Sequence, residues 1–170
     1  MEQVIIRKIF PKELGILENL LYEAVFLPEG MEPFPWDIIK IPEINAYIAD
    51  FGSRKDDHCL VAELNEKIIG AVWVRILSGE IKGYGFVDDE TPEFAISLFE
   101  EYRNCGIGTL LMRKMIEHLK ECGYTQISLS VQKENYAAEM YRKLGFEIIG
   151  ENAEDYLMLL KLNSKEIINN

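Results

Sequence analysis

The sequence predicts an α/β (α+β) domain in which helices flank a mixed central sheet. Seven segments have the length and the β-branched or alternating apolar pattern of strands. Between them lie segments whose apolar residues recur at helical spacing. Elements in this order pack as a sheet with helices on its faces. The 170 residues contain no linker and no internal repeat, so we expect residues 1–170 to form a single domain.

The strand segments are bounded by Pro11 or by short polar connections. They cover residues 4–10, 59–64, 68–77, 94–99, 126–131, 146–150 and 156–162. The helical segments are amphipathic, and glycine closes several of them. They cover residues 12–25, 44–51, 110–119 and 137–144. A proline-rich break separates the first helix from the second.

The composition excludes several classes of partner. A net charge of -11 argues against binding to nucleic acid, which needs a basic face. The acidity fits either plain solubility or a cationic substrate drawn to an acidic cleft. No apolar run is long enough to cross a bilayer, and the N-terminus lacks a signal-peptide pattern. We therefore expect a cytoplasmic protein without a membrane partner.

Cysteine and histidine give no pattern typical of a metal site. The three cysteines form no CxxC pair, so neither a disulfide framework nor zinc is indicated. His58 and His118 are interpreted as structural or exposed, since no third ligand is evident in the sequence. We expect no metal.

The segment with the clearest chemical pattern runs from Arg103 to Thr109 and includes Gly106 and Gly108. It lies between a predicted strand and a predicted helix. Glycines let the backbone approach a ligand closely, and the helix start presents N–H groups and a positive dipole end. This combination favours phosphate binding. No Gly-Lys-Ser/Thr follows, and Leu111 stands at the third glycine position of a dinucleotide fingerprint.

The Arg-x-x-Gly-x-Gly spacing, followed by the segment from Asn135 to Phe146, resembles the GNAT superfamily of N-acetyltransferases. The similarity is dense over residues 93–150. It implies a mostly antiparallel central sheet whose strands at 94–99 and 126–131 splay apart around acetyl-CoA. In the family, backbone groups at the positions of Leu98 and Phe99 pair with the pantetheine arm.

The resemblance also implies a set of residues that bind the cofactor. These are Leu98, Phe99, Arg103, Asn104, Gly106, Ile107, Gly108, Thr109, Leu110 and Asn135. The loop and helix start, from Arg103 to Leu110, would hold the pyrophosphate. Asn135 would bind the cofactor arm, and the Leu98 N–H would meet the oxyanion.

Two catalytic residues are implied, each with a structural alternative. Tyr141 would be the general acid for the thiolate, or an aromatic of the core. Glu93 would be the base that acts through water, or a solvated loop carboxylate. Asp88, Asp89 and Glu90 could equally shape a rim that attracts a cation. The aromatics proposed for an acceptor pocket are Trp36, Trp73, Tyr84 and Phe86, of which Trp73 is expected in the core.

The activity implied is transfer of acetyl from acetyl-CoA to an amine. The acceptor is left open between a small cationic amine and a protein or peptide amine, and a homodimer is left open as well. Two other classes compete. One is a catalytically silent module that senses acetyl-CoA, and the other is a nucleotide-binding α/β domain of another family.

Overall fold

The computed structural model describes residues 2–162 and contains seven strands and four α-helices within that range. The predicted domain limits of 1–170 extend to residues outside the described ones. The strands are β1 (Ile5–Lys8), β2 (His58–Leu64), β3 (Lys67–Arg75), β4 (Glu93–Leu98), β5 (Gln126–Gln132), β6 (Glu147–Glu151) and β7 (Asp155–Lys161). The helices are α1 (Ile16–Ala24), α2 (Pro42–Asn45), α3 (Ile107–Glu121) and α4 (Ala137–Lys143).

All seven strands form one sheet in the order β1-β2-β3-β4-β5-β7-β6. Every neighbouring pair is antiparallel except β4 and β5, which run parallel. The predicted mixed, mostly antiparallel sheet is therefore confirmed. Asn65 and Glu66 make the β2–β3 turn with φ of 49° and 64°, the backbone that a two-residue hairpin of this twist requires.

The two central strands diverge. In the described chain, β4 and β5 share a single residue pair, Glu93 with Ser128, where the Ser128 N–H donates to the Pro92 carbonyl at 3.0 Å. Beyond that pair the strands part toward the C-terminal end of β4. The predicted splay is confirmed, and it leaves a gap in the middle of the sheet.

Each face of the sheet is covered by helices. On one face α3 and α4 bury Leu111, Met115 and Tyr141 against the strands. On the other face α1 packs Leu17 and Leu20 against Trp73, which is fully buried as expected. The apolar spacing of α1 and α3 explains this, because residues three and four apart lie on one side of a helix.

Some element bounds differ from the predictions. The second predicted helix is only one turn long, and the turns after it replace its remainder up to Gly52. The proline-rich break contains a short 3-10 helix, Trp36–Lys40. Strand β4 begins at Glu93, so this residue lies in the sheet and not in the loop before it. Among residues 2–162, no helix combines the length and the apolar character that a bilayer span requires.

Candidate functional site

The gap between β4 and β5 opens into a cleft of about 350 Å³. Its walls come from α1, the turns after α2, the loop before β4, strands β4 and β5, and α4. Tyr47, Tyr84, Asn135 and Tyr141 all line it. The divergence of the strands thus creates a site to which both halves of the chain contribute.

Strand β4 turns alternate backbone groups toward the cleft. The Phe99 N–H donates to the Ile69 carbonyl of β3 at 3.0 Å, so the N–H groups of Ile96 and Leu98 point the other way, toward β5. Because β5 has parted from β4 there, these two donors have no partner among the described residues. The Phe99 N–H is thereby used within the protein, and its carbonyl accepts from the Tyr102 N–H at 2.9 Å.

The loop before α3 presents a run of unused donors. Asn104 and Gly106 adopt left-handed conformations with φ of 60° and 82°, and Gly106 is the N-cap of α3. Within residues 2–162, the backbone N–H groups of residues 104–109 have no hydrogen-bond acceptor. The run ends there, because the Leu110 N–H donates to the Gly106 carbonyl at 3.1 Å. Such a concavity of amides at a positive helix end binds anions.

Arg103 braces this loop against two other elements. Its Nε donates to the Leu98 carbonyl at 3.0 Å, and its Nη2 donates to Glu23 of α1 at 2.7 Å. The side chain therefore fixes the loop to β4 and α1. The role of Arg103 in holding a pyrophosphate stays a prediction, whereas this bracing role was not foreseen.

Asn135 and Tyr141 both reach the cleft from the α4 region. The Asn135 Oδ1 accepts from the Ala137 N–H at 2.9 Å, which leaves Nδ2 as the donor toward the cleft. The Tyr141 ring packs edge-on against Phe146, and its hydroxyl has no hydrogen-bond partner among the described residues. Burial raises the pKa of Tyr141 to about 12, so it is a proton donor at neutral pH. Tyr141 is both a core aromatic and a residue of the site.

Glu93 is buried, with 2% of its surface exposed, so the interpretation as a solvated loop carboxylate is wrong. Its Oε2 accepts hydrogen bonds from the Tyr47 hydroxyl at 2.8 Å and from the Gly85 N–H at 2.9 Å. Its Oε1 is buried without a partner in the described chain. Burial raises the pKa of Glu93 to about 7, against the lowering effect of those two hydrogen bonds.

Glycines make room for that carboxyl group. A Cβ atom on Gly83 would lie 1.5 Å from Glu93 Oε1, and one on Gly85 would lie 2.7 Å from Oε2. The loop before β4 can therefore close over Glu93 only with glycine at these positions. The Ser128 hydroxyl donates to the Gly85 carbonyl at 2.5 Å and ties this loop to β5.

Tyr47 connects Glu93 to the cleft, and the sequence did not identify it. Its position is fixed from β3, because Trp73 Nε1 donates to the Tyr47 carbonyl at 3.1 Å. Arg75 donates to the carbonyls of Ala46 and Ala49 on either side. In the sequence Tyr47 fits an ordinary apolar helical pattern, so nothing marked it as functional.

Several predicted pocket residues lie elsewhere. Trp36 packs on Tyr22 with ring centroids 5.4 Å apart and does not line the cleft, whereas Tyr84 does. Asp88 accepts hydrogen bonds from Glu90 and Thr91 and organises its own loop. The carboxylates that line the cleft are Glu154 and Asp155.

Residues 21–146 match the Acetyltransferase (GNAT) family, a span that contains the amide loop, Glu93 and Tyr141. The chain belongs to this family. The resemblance noted in the sequence is thereby confirmed, and the alternative of another nucleotide-binding family is excluded.

Known proteins similar to this GNAT chain include acetyltransferases of different acceptors. The chain is 41% identical over 58 residues to the ribosomal protein bS18-alanine N-acetyltransferase of Haemophilus influenzae, a match that covers 34% of this chain and 40% of that protein. The chain thus matches less than half of that relative's length.

Solved structures share the fold. A GNAT-family acetyltransferase from Streptococcus pneumoniae has a TM-score of 0.67 at 23% identity, with 95% of this chain and 100% of that chain covered. PaiA N-acetyltransferase from Thermoplasma acidophilum, solved in complex with coenzyme A, has a TM-score of 0.67 at 21% identity, with coverages of 94% and 99%. At these identities the likeness shows the fold alone.

The residues around the cleft fit the coenzyme that this family uses. The unused amides at residues 104–109 suit a pyrophosphate, and the outward N–H groups of Ile96 and Leu98 suit an amide-bearing arm. The arm would run through the gap between β4 and β5, past Asn135 Nδ2. The part of Phe99 in this arrangement stays a prediction, and Ile96 is a second β4 residue whose N–H faces the gap.

Proposed function

We propose that this GNAT protein transfers an acetyl group from acetyl-CoA directly to an amine in the cleft between β4 and β5. The observation that carries the proposal is the parting of these strands. It leaves backbone donors of β4 without partners in the described chain, beside Tyr141 and the Tyr47–Glu93 pair. Donors, an acid and a base thus converge on one cavity.

Acetyl-CoA, when bound, supplies a thioester carbonyl to a neutral amine and a thiolate as leaving group. The amides of residues 104–109 bind its pyrophosphate, with the positive end of α3 behind them. The Leu98 N–H, which points from β4 toward β5, would meet the carbonyl oxygen and stabilise its developing negative charge. Asn135 orients the arm through its side-chain amide.

Glu93 accepts the proton that the amine must lose. An ammonium ion is not a nucleophile, so a base is required before attack. A carboxyl group with a pKa of about 7 is well matched to this task near neutral pH. The Tyr47 hydroxyl donates to Glu93 Oε2 and accepts from the Tyr84 N–H at 2.9 Å. Since Tyr47 lines the cleft, the second lone pair of its oxygen would accept the proton of the amine as the hydroxyl donates to Glu93.

Tyr141 serves the leaving group. Tyr141 lines the cleft, and its hydroxyl has no hydrogen-bond partner among residues 2–162. A neutral phenol in a partly dry cavity donates a hydrogen bond more effectively than in water. Tyr141 therefore protonates or hydrogen-bonds the thiolate sulfur as the C–S bond breaks.

The acceptor is an amine that carries positive charge before it reacts. Glu154 and Asp155 line the cleft, and opposite charge raises the local concentration of a cation. An N-terminal alanine of a protein is one such amine, in keeping with the similarity to the bS18-alanine enzyme. A small cationic amine is the other class, and the cytoplasmic location predicted from the sequence is compatible with both.

The proposal is tested by following thiol release from acetyl-CoA in the presence of an acceptor panel. The panel contains peptides with N-terminal alanine, peptides with a single lysine and blocked N-terminus, and small polyamines. Mass spectrometry of the acceptor identifies the acetylated product. We expect release that depends on one class of amine. Tight acetyl-CoA binding with no acetylated product for any class would favour the sensor alternative.

A further inference from the structure

A second cluster of reactive side chains lies at the opposite end of α3 from the amide loop. His58 begins β2, His118 lies in the last turn of α3, and Cys122 follows it by four residues, so both point to the same side of the helix. His118 lies twelve residues after Gly106, which places it about 18 Å along the helix from the amide loop. The cleft and this cluster are therefore separate.

The three side chains converge on one point. His118 Nε2 lies 3.0 Å from His58 Nδ1 and 3.7 Å from Cys122 Sγ. All three atoms lie within 4.8 Å of one another. A tetrahedral zinc ion with its usual bond lengths separates two nitrogens by about 3.3 Å and a nitrogen from a sulfur by about 3.6 Å. Two of the three separations are close to these values, and the third, between His58 Nδ1 and Cys122 Sγ, is no more than 4.8 Å.

A hydrogen-bond chain sets the tautomer of His58. The Tyr124 hydroxyl donates to Asp56 Oδ1 at 2.5 Å, so the Tyr124 oxygen is left to accept from His58 Nε2, 3.2 Å away. The proton of a neutral His58 ring is then on Nε2, and Nδ1 presents a lone pair to the cluster. Metal-bound histidines commonly donate their second nitrogen in this way to a carboxylate or to a group linked to one.

We propose that His58 Nδ1, His118 Nε2 and Cys122 Sγ form a binding site for zinc. Two imidazoles and one thiolate are ligands that zinc favours, and a solvent molecule completes the tetrahedron, since Cys122 is exposed. Binding releases the thiol proton of Cys122 to solvent. The ion cross-links β2 to the C-terminal end of α3.

The sequence expectation of no metal arose because Cys122 was not recognised as the third ligand. His58 is 60 residues from His118, and only the packing of α3 on β2 brings them together.

Titration of the tag-free, metal-stripped full chain with zinc, in competition with a chromophoric chelator, tests the proposal. We expect one site per chain in wild type and at least a hundredfold loss of affinity in Cys122→Ser, whose exposed position spares the fold. Cys105→Ser, a change to an exposed thiol at the other end of α3, should keep the wild-type zinc affinity. Cobalt as a substitute should give a thiolate charge-transfer band that Cys122→Ser abolishes.

A second variant tests the hydrogen-bond chain. Tyr124→Phe leaves the three ligands in place and removes the acceptor for His58 Nε2, so zinc affinity should fall by roughly 10–100-fold. The proposal is overturned if wild type shows no stoichiometric site. It is equally overturned if Cys122→Ser binds zinc as wild type does, which would mean adventitious binding elsewhere. Neither outcome bears on acetyl transfer.

Discussion

The hydroxyl of Tyr47 donates a 2.8 Å hydrogen bond to Oε2 of Glu93, a carboxylate enclosed by the loop before β4. Burial and the charge of Glu93 raise the pKa of Tyr47 well above its ordinary value. Tyr47 thus keeps its proton, and Glu93 is the member of the pair that titrates near neutrality. This hydrogen bond links the buried carboxyl group to Tyr47, a residue that lines the cleft.

Replacing Tyr47 by Phe should move the pH dependence of activity. The Tyr47 hydrogen bond lowers the pKa of Glu93, so its loss raises that pKa above about 7. The rising limb of kcat/KM against pH should shift to higher pH, and the plateau should fall by roughly 10²-fold or more because the relay is broken. Tyr22→Phe, which loses a hydroxyl bonded to the Phe34 carbonyl instead, is the control. If the rising limb of the pH profile does not shift, Tyr47 does not act on the pKa of the base.

Adding a methyl group at Gly83 should displace the Glu93 carboxyl group while residue 93 stays a glutamate. The new Cβ would lie 1.5 Å from Glu93 Oε1, so the loop or the carboxyl group must move. We expect Gly83→Ala to lose about 1–3 kcal/mol of unfolding free energy and most of its activity. Gly79→Ala in the same loop meets nothing within 4 Å and should match wild type in denaturant melts and in turnover. Equal behaviour of the two variants would refute the close packing of this loop.

Removing the Tyr141 hydroxyl should slow turnover and little else. The hydroxyl has no hydrogen-bond partner in the described chain, so Tyr141→Phe should keep the wild-type melting temperature and affinity for acetyl-CoA. Turnover should fall by roughly 10²–10⁴-fold if it is the acid. Stopped-flow thiol release measures this, with Tyr156→Phe on β7 as control. Near-wild-type turnover would leave Tyr141 as core packing only.

A bulkier residue at Gly108 should weaken acetyl-CoA binding. A Cβ there comes to 3.7 Å from Leu98 and 3.9 Å from Met140, so the extra methyls of Gly108→Val project into the narrow space between β4 and α4. We expect at least a tenfold loss of affinity by calorimetry, with a folded protein. Gly15→Val is the control for the substitution itself, because a Cβ added at Gly15 would have no atom within 4 Å. Unchanged affinity of the Gly108 variant for acetyl-CoA would mean that the pyrophosphate does not bind at this loop.

The order of strands and helices was predictable from the sequence because it depends on local periodicity. The apolar spacing of α1 and α3 and the alternation in β5 each specify one element. The amide loop was equally predictable, since Gly106 must supply a left-handed backbone at the helix start. These features require only neighbours in the chain.

Features that depend on distant packing were not predictable. The Phe99 N–H is used within the protein because of its register against β3, which no local pattern reveals. The burial of Glu93 depends on a loop that closes over it, and its partner Tyr47 is 46 residues away. Tyr47 resembled a core residue in the sequence. The burial and the hydrogen bonds of Glu93 could therefore be seen only in the three-dimensional structure.

The role of Glu93 as the base is tested most directly by comparing wild type with Glu93→Gln across pH on the acceptor identified in the panel. The kcat/KM of wild type divided by that of Glu93→Gln measures how much the base contributes at each pH. Below pH 7 the Glu93 carboxyl is protonated and cannot accept a proton, so the ratio should be small. It should rise through about pH 7 and shrink again where the amine deprotonates unaided. A ratio that stays constant across this range would contradict the assignment of Glu93 as the base.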